Sequence, residues 1–261
     1  MDEELKKAAY SIINKIYDGI IKIPHSEFHK YIVNIGIGAD GTPTKYIDKF
    51  AEDIAIDFIK KSKLNINILS EEEGFLDFNG DYTFILDPID GTRNAVRGIP
   101  IYSISLGIGK KSINDVNFGI IKNIPTGDLF IAERGKGAFH NNKPVNTPEI
   151  PDKEIIFSFN DINIIKNLGN KFDKIRALGC ASIEICMVGI GAIDIYAVSD
   201  EHLRITDIAA SSLFIKEAGG VIRNIKGGNI NMNLNLDERT SIIAACNRDI
   251  VDDFIKRFNE I

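Results

Sequence analysis

Phe84-Ile-Leu-Asp87-Pro88-Ile89-Asp90-Gly91-Thr92-Arg93-Asn94 is the stretch on which the reading of this chain turns. An apolar run, Tyr82–Leu86, has the composition of a buried strand and leads straight into two acids three residues apart, followed by Gly-Thr. Carboxylates at the end of a strand are held by the sheet and point into the crevice where α/β folds bind ligands. Two carboxylates that close repel each other unless a cation lies between them. A ligand set made only of oxygen suits Mg²⁺ or Mn²⁺. Other acidic and phosphate motifs are excluded by counting. An EF-hand needs D-x-[DN]-x-[DN]-G with Glu at position twelve, where this chain has Gly98, and a phosphate loop needs G-K-[ST], which is absent. Asp-Pro and Asp-Gly also form turns, so the segment alone does not separate a metal site from a surface turn.

Working outward, more acids fall at element ends. Leu69-Ser70-Glu71-Glu72-Glu73-Gly74 follows the preceding strand, Asn67–Leu69, and Asp40 and Asp48 flank a helix start. Arg204-Ile-Thr-Asp207-Ile-Ala-Ala opens a helix that closes with Glu217-Ala-Gly-Gly220. A helix N-terminus carrying an Asp suits a metal ligand beside an anion.

The remaining pattern is mixed. Helical spacing covers residues 3–20 and 44–61, the second with Thr44 or Thr42 as cap and Pro43 at an early position. Short Ile-rich runs at 102–109, 116–121 and 129–132 read as strands, and residues 135–143 as a hairpin turning at Asn141-Asn142. The second half alternates: strands at 155–159, 174–178, 194–198 and 241–246, helices at 162–168, 182–191, 205–218 and 249–258. The first half, about 1–150, is rich in antiparallel pattern and the second, about 151–261, is α/β. Two sheets layered with helices satisfy both.

Composition excludes other classes. With 261 residues, 44% hydrophobic and 26% charged, the chain is neither disordered nor fibrous. A net charge of −6 without any Lys/Arg block argues against a nucleic-acid partner. Apolar runs reach about half the ~20 residues of a membrane span. Cys180, Cys186 and Cys246, an odd number without metal spacing, fit free thiols in a reducing cytoplasm. Cys180 could sit at a helix start, which lowers a thiol pKa, but a packed thiol is the preferred reading. His25 and His29 read as solvated. Gly36-Ile-Gly-Ala-Asp-Gly41 matches G-x-G-x-x-G formally, yet the next helix starts only after Pro43, so a flexible loop is preferred to a dinucleotide site.

Ser70-Glu71-Glu72, Asp87-Pro-Ile-Asp-Gly-Thr92 and Thr206-Asp207-Ile-Ala-Ala with Glu217-Ala-Gly-Gly220 resemble the inositol monophosphatase family, part of the metal-dependent, lithium-sensitive sugar phosphatase superfamily. Asp40-Gly-Thr-Pro-Thr and Gly179-Cys-Ala-Ser182 are most similar to its archaeal dual inositol monophosphatase/fructose-1,6-bisphosphatase branch. The resemblance implies one α+β domain over 1–261, a layered α-β-α-β-α sandwich, cytoplasmic and homodimeric, with two to three Mg²⁺ ions per site. It implies metal ligation by Glu71, Asp87, the Ile89 carbonyl, Asp90 and Asp207, with Asp40 on a mobile loop near a third, weaker metal. Gly91 and Thr92 would hold phosphate, and Thr92 with Glu71 would orient the attacking water. Gly179, Ala181, Ser182, Asp200 and Arg176 would meet a small phosphorylated polyol or sugar, with Arg204 near the same end. The implied activity is hydrolysis of myo-inositol-1-phosphate and fructose-1,6-bisphosphate. The alternatives are a 3'-phosphoadenosine phosphate phosphatase of the same superfamily, which the lack of Trp disfavours, and a metal-binding regulator without catalysis, whose mark would be a missing acid at 71, 87, 90 or 207; none is missing.

Overall fold

The computed structural model describes residues 2–24, 26–148, 154–161, 163–164 and 174–259. Its first layer is a helix pair, α1 (Glu3–Ile21) and α2 (Tyr46–Ser62). Asp2 caps α1, accepting the Glu4 N–H at 2.8 Å. Neither Thr42 nor Thr44 caps α2. Residues Pro43–Lys45 form strand β2, pairing antiparallel with β1 (Asn34–Ile37), and Lys45 is the N-cap, its N–H bonded to Asp48. The glycine stretch is therefore a hairpin with its loop at 38–42, not a strand-to-helix turn, which removes the dinucleotide reading.

Beneath the helix pair lies an eight-stranded sheet in the order β10-β9-β8-β7-β6-β5-β3-β4. Its strands are β3 (Asn67–Ser70), β4 (Gly74–Leu76), β5 (Thr83–Asp90), β6 (Ser103–Gly109), β7 (Phe118–Asn123), β8 (Leu129–Glu133), β9 (Gly137–His140) and β10 (Lys143–Val145). All its pairs are antiparallel except β3 with β5. The β9–β10 turn places Asn141 and Asn142 at φ 48 and 64, the left-handed pair its sequence predicts. The pleat sorts side chains by parity. Phe84 and Leu86 face α1 and α2, whereas Ile85 faces the other way into a second core.

That second core holds two central helices, α4 (Ala181–Gly189) and α5 (Ile205–Glu217). Gly119 lets α5 approach the sheet closely, since a Cβ there would lie 2.8 Å from the Ala210 carbonyl oxygen. On their far side is a five-stranded sheet, β12-β11-β13-β15-β14, formed by β11 (Ile156–Phe159), β12 (Lys174–Arg176), β13 (Ile195–Leu203), β14 (Val221–Arg223) and β15 (Thr240–Ala245). Tyr196, Val198, Ile242 and Ala244 face the central helices, while Ile195, Ala197, Ile243 and Ala245 face the last helix, α6 (Arg248–Asn259). The order is therefore α-β-α-β-α, as expected.

The helix expected over 162–168 lies, except for residues 163 and 164, outside the described residues, as does His25. All three cysteines are free and buried. Among the described residues no helix is long and apolar enough to cross a membrane.

Candidate active site

The parallel β3–β5 pair is the first positioning device. Ser70 lies opposite Leu86, so the chain leaving β3 at Glu71 runs beside Asp87. The second is a bulge in β5. Asp87 pairs with Ser105 and Asp90 with Ser103, so three steps on β5 match two on β6. In a regular strand, residues three apart face opposite sides. The extra residue at Pro88-Ile89 puts both acids on one face, and proline is tolerated there because a bulge asks for no ladder N–H. The strand thus continues past Leu86, where the sequence predicts its end, and carries both acids itself.

The start of α5 supplies the third acid. Arg204 is its N-cap, and the Arg204 N–H donates to Asp207 Oδ2 at 2.6 Å. Glu71, Asp87 and Asp207 each present a carboxylate oxygen, all within 4.8 Å of one another. Asp87 and Asp207 are buried and Glu71 is partly so. Burial, then the charges of Glu71, Asp90 and Asp207, push the Asp87 carboxyl well above the ordinary carboxylate range. Burial, with Asp207 and Asp40, does the same to Glu71 against the opposing pull of Arg204. Burial and Asp207 raise Asp90. Such a cluster is short of positive charge, and its donors are hard oxygens at close range. These residues fit a divalent cation of the Mg²⁺ type.

Asp90 is held from the central helix layer. Its Oδ2 accepts the Ser182 N–H at 2.7 Å and the Ser182 hydroxyl at 2.5 Å, with the Cys180 thiol at 3.2 Å. Ser182 therefore directs both of its donors to Asp90. Burial and the adjacent Asp90 charge push the Cys180 thiol well above its ordinary value; the helix start does not lower it. Gly91 follows at φ 85, and a Cβ there would lie 3.2 Å from both Cys180 Cβ and the Ile101 carbonyl oxygen. Gly91 caps the short helix α3 (Thr92–Arg97).

The Thr92 hydroxyl lies 3.0 Å from Asp48 Oδ1 and 2.9 Å from the Ile89 carbonyl oxygen, and its single proton serves one of them at a time. Burial, partly opposed by the Thr92 hydrogen bond, pushes Asp48 up to about 7. The sequence places Asp48 only near a helix start. Its contact with Thr92 bridges 44 residues, and no local pattern announces it. Glu184, absent from the expected set, fixes the Gly179 loop. Its carboxylate accepts the N–H groups of Leu178, Gly179 and Cys180 at 3.1, 3.1 and 3.3 Å and the Ser158 hydroxyl at 2.5 Å. Ala181 is the first residue of α4.

The other expected residues fall in different places. Asp40 sits in the 38–42 loop, its carboxylate against the Arg204 guanidinium. Arg204 thus lies among the carboxylates, paired also with Glu71 and Asp207. Asp200 and Arg176 are both exposed. Asp200 accepts an Asn163 side-chain N–H at 3.0 Å, and Arg176 donates to the Ile175 carbonyl at 2.8 Å. Neither touches the acidic cluster in the contacts described.

The inositol monophosphatase family model matches residues 1–261. The chain belongs to the inositol monophosphatase family. It is 38% identical over 233 residues to a fructose-1,6-bisphosphatase/inositol-1-monophosphatase of Methanothermobacter thermautotrophicus, covering 83% of each chain. It is also 36% identical to a bifunctional NADP phosphatase/NAD kinase of Methanococcus maripaludis, covering 81% of this chain and 42% of that longer one. Its fold matches the crystal structure of an inositol monophosphatase–fructose 1,6-bisphosphatase with a TM-score of 0.87 at 29% identity, covering 98% of this chain and 100% of the other. As a member of the inositol monophosphatase family, the protein is a phosphoric monoester hydrolase.

Proposed function

We propose that this protein is a Mg²⁺-dependent phosphomonoesterase that hydrolyses both myo-inositol-1-phosphate and fructose-1,6-bisphosphate. The observation that carries the reading is the convergence of Glu71, Asp87 and Asp207 within 4.8 Å, beside the Asp90-Gly91-Thr92 turn. Mg²⁺ or Mn²⁺ held by Glu71, Asp87, Asp90, Asp207 and the Ile89 carbonyl would neutralise phosphate charge and make water more acidic. The protein's own groups do the positioning, which is most of what phosphoryl transfer asks. Gly91 and Thr92 hold the phosphate through backbone N–H groups. The Asp48 carboxylate orients the Thr92 hydroxyl, and Thr92 with Glu71 orients the attacking water. A proton leaving that water has a path through Thr92 Oγ1 to Asp48 Oδ1, 3.0 Å away.

None of these groups reads the leaving alcohol. Asp200 and Arg176, the residues expected at the alcohol end, are both exposed rather than fixed in a buried pocket, which supports breadth of substrate. The test is phosphate release from a panel in Mg²⁺ and in EDTA. Activity is expected only with metal, and kcat/KM for the two substrates should lie within about a hundredfold, under ~3 kcal/mol of discrimination. Asp200→Ala should change their ratio and leave the metal requirement alone. Full activity in EDTA would refute the mechanism. The similarity to an NADP phosphatase domain favours one second reading, a nucleotide phosphatase, so NADP and 3'-phosphoadenosine phosphate belong in the panel. A homodimer is part of the proposal and is read by sedimentation.

A further inference from the structure

Resting on that metal reading, we infer that the Arg204 guanidinium competes with a divalent metal for Glu71 and Asp207, and that the metal must displace it from both to bind. Arg204 reaches three carboxylates at once. Its Nη2 lies 3.0 Å from Glu71 Oε1 and 3.1 Å from Asp207 Oδ1, and its Nη1 contacts Asp40 Oδ2. The ion pairs are well covered, with side-chain exposures of 19% for Arg204, 14% for Glu71, 8% for Asp207 and 1% for Asp40. Two of its three partners belong to the triad that fits a metal.

A guanidinium and a divalent cation compete here by charge and by lone pairs. Both seek carboxylate oxygens of Glu71 and Asp207, and two cations held against the same two carboxylates repel each other strongly in a covered site. Glu71 Oε1 also accepts the Thr206 hydroxyl at 3.1 Å, which leaves it little spare capacity for both cations. The backbone is built to let the side chain go. Asp207 stays oriented by the Arg204 N–H at 2.6 Å, a bond that does not depend on the Arg204 side chain.

Displacement also reaches the hairpin loop. Asp40 is tied locally, accepting the Thr42 N–H at 2.8 Å, and the Asp40 N–H donates to the Glu71 carbonyl at 3.1 Å. The loop therefore rests on the backbone of a triad residue, and Arg204 is the side chain that joins the Asp40 carboxylate to the triad. A metal that evicts the guanidinium frees the Asp40 carboxylate as well. Arg204 is thus a positioning residue whose charge sets the metal affinity and couples it to the loop.

The test is calorimetric titration of chelator-stripped protein with Mg²⁺ or Mn²⁺ alone, comparing the natural protein with Arg204→Gln. The variant should bind metal at least tenfold more tightly, melt lower in EDTA, and gain more in melting temperature when Mg²⁺ is added. Since the variant could fail to fold without metal, a second measurement uses the natural protein. The Arg204 Nε–H resonance, assigned by its loss in Arg204→Lys, should shift as Mg²⁺ saturates. Metal binding by folded Arg204→Gln that is equal or weaker, or an Nε–H resonance unmoved at saturation, would overturn the inference and leave the metal site standing. Absence of Mg²⁺ and Mn²⁺ uptake by every form would bring down the metal reading and this inference with it.

Discussion

Replacing Asp87 by Asn should make the metal-free protein more stable and the enzyme inactive. The carboxylate oxygens of Asp87, Glu71 and Asp207 lie within 4.8 Å of one another, so each ionised pair costs roughly 3.5 kcal/mol at an effective dielectric of about 20. Asp87 faces two such partners. The full cost is not realised, because burial and these neighbours raise its pKa and the folded protein takes up a proton instead. A net gain of about 1–3 kcal/mol at neutral pH remains for Asp87→Asn, or roughly 2–12 °C in melting temperature for a chain of this size. The amide oxygen can keep the bond from the Ile89 N–H, 3.0 Å from Asp87 Oδ1, so the bulge stays supported. The sign follows from linkage. A carboxyl raised on folding contributes most below its unfolded value of ~3.9, and that contribution is lost as pH rises through the folded value. The gap between variant and natural protein should therefore open with increasing pH and close near pH 4. Thermal melts in EDTA across pH measure it directly. In Mg²⁺ the order should reverse, because the natural protein gains about 4.1 kcal/mol at a thousand times its Kd and the variant does not. A variant that melts below the natural protein in EDTA at neutral pH would refute the electrostatic account.

Asp90→Asn should leave the fold intact, since the amide oxygen can keep both Ser182 bonds, yet lower kcat by at least about a hundredfold, as read by phosphate release. Asp48 can take the proton relayed through Thr92 only when it is ionised, so with its carboxyl pushed up to about 7, kcat should rise as pH passes that value. Asp48→Asn should flatten this limb and lose activity, while gaining stability above pH 7, where the natural protein carries a buried charge. Glu184→Ala strips acceptors from the Leu178, Gly179 and Cys180 N–H groups and should cost at least about 3 kcal/mol in denaturant melts. Glu184→Gln should fall between it and the natural protein.

Much of the fold is legible because layered sheets impose strict parity. Phe84-Ile-Leu alternates between two cores, and the same period recurs in Ile242–Ala245. What escapes is short or nonlocal. Strands β4 and β14 have three residues each, too few to show a period. The bulge at Pro88-Ile89 cannot be read from β5 alone, because a bulge is a mismatch between two strands and Ser103 and Ser105 hold the other half of the count. The formal G-x-G-x-x-G match carries no dinucleotide site, as its late helix start already indicates, because glycines serve a hairpin loop as well as a phosphate turn. Cys180 shows burial prevailing over a helix start. The Thr92–Asp48 contact and the reach of Arg204 to Asp40 depend on long-range packing, and only the resemblance to a family brings Asp40 and Thr92 into one site in advance.

The acids most visible in the sequence are those the fold supports least. Asp87, Asp90 and Asp207 are buried, where an unpaired charge is costly, and among the described residues Arg204 is the one cation ion-paired with the cluster. Five carboxylates, at positions 40, 71, 87, 90 and 207, thus stand against a guanidinium that reaches three of them, at 40, 71 and 207, an imbalance no stability argument would select. Ser182 and Cys180 ease the burial of Asp90 with hydrogen bonds, but hydrogen bonds orient a charge without neutralising it. Proton uptake relieves part of this charge, and on the metal reading a divalent cation would relieve the rest and let the substrate phosphate approach. On that reading the expected binding order is cation first and anion second. A phosphate analogue should therefore bind only after Mg²⁺, and its binding by the EDTA-treated protein at equal affinity would show that the cluster is neutral as it stands.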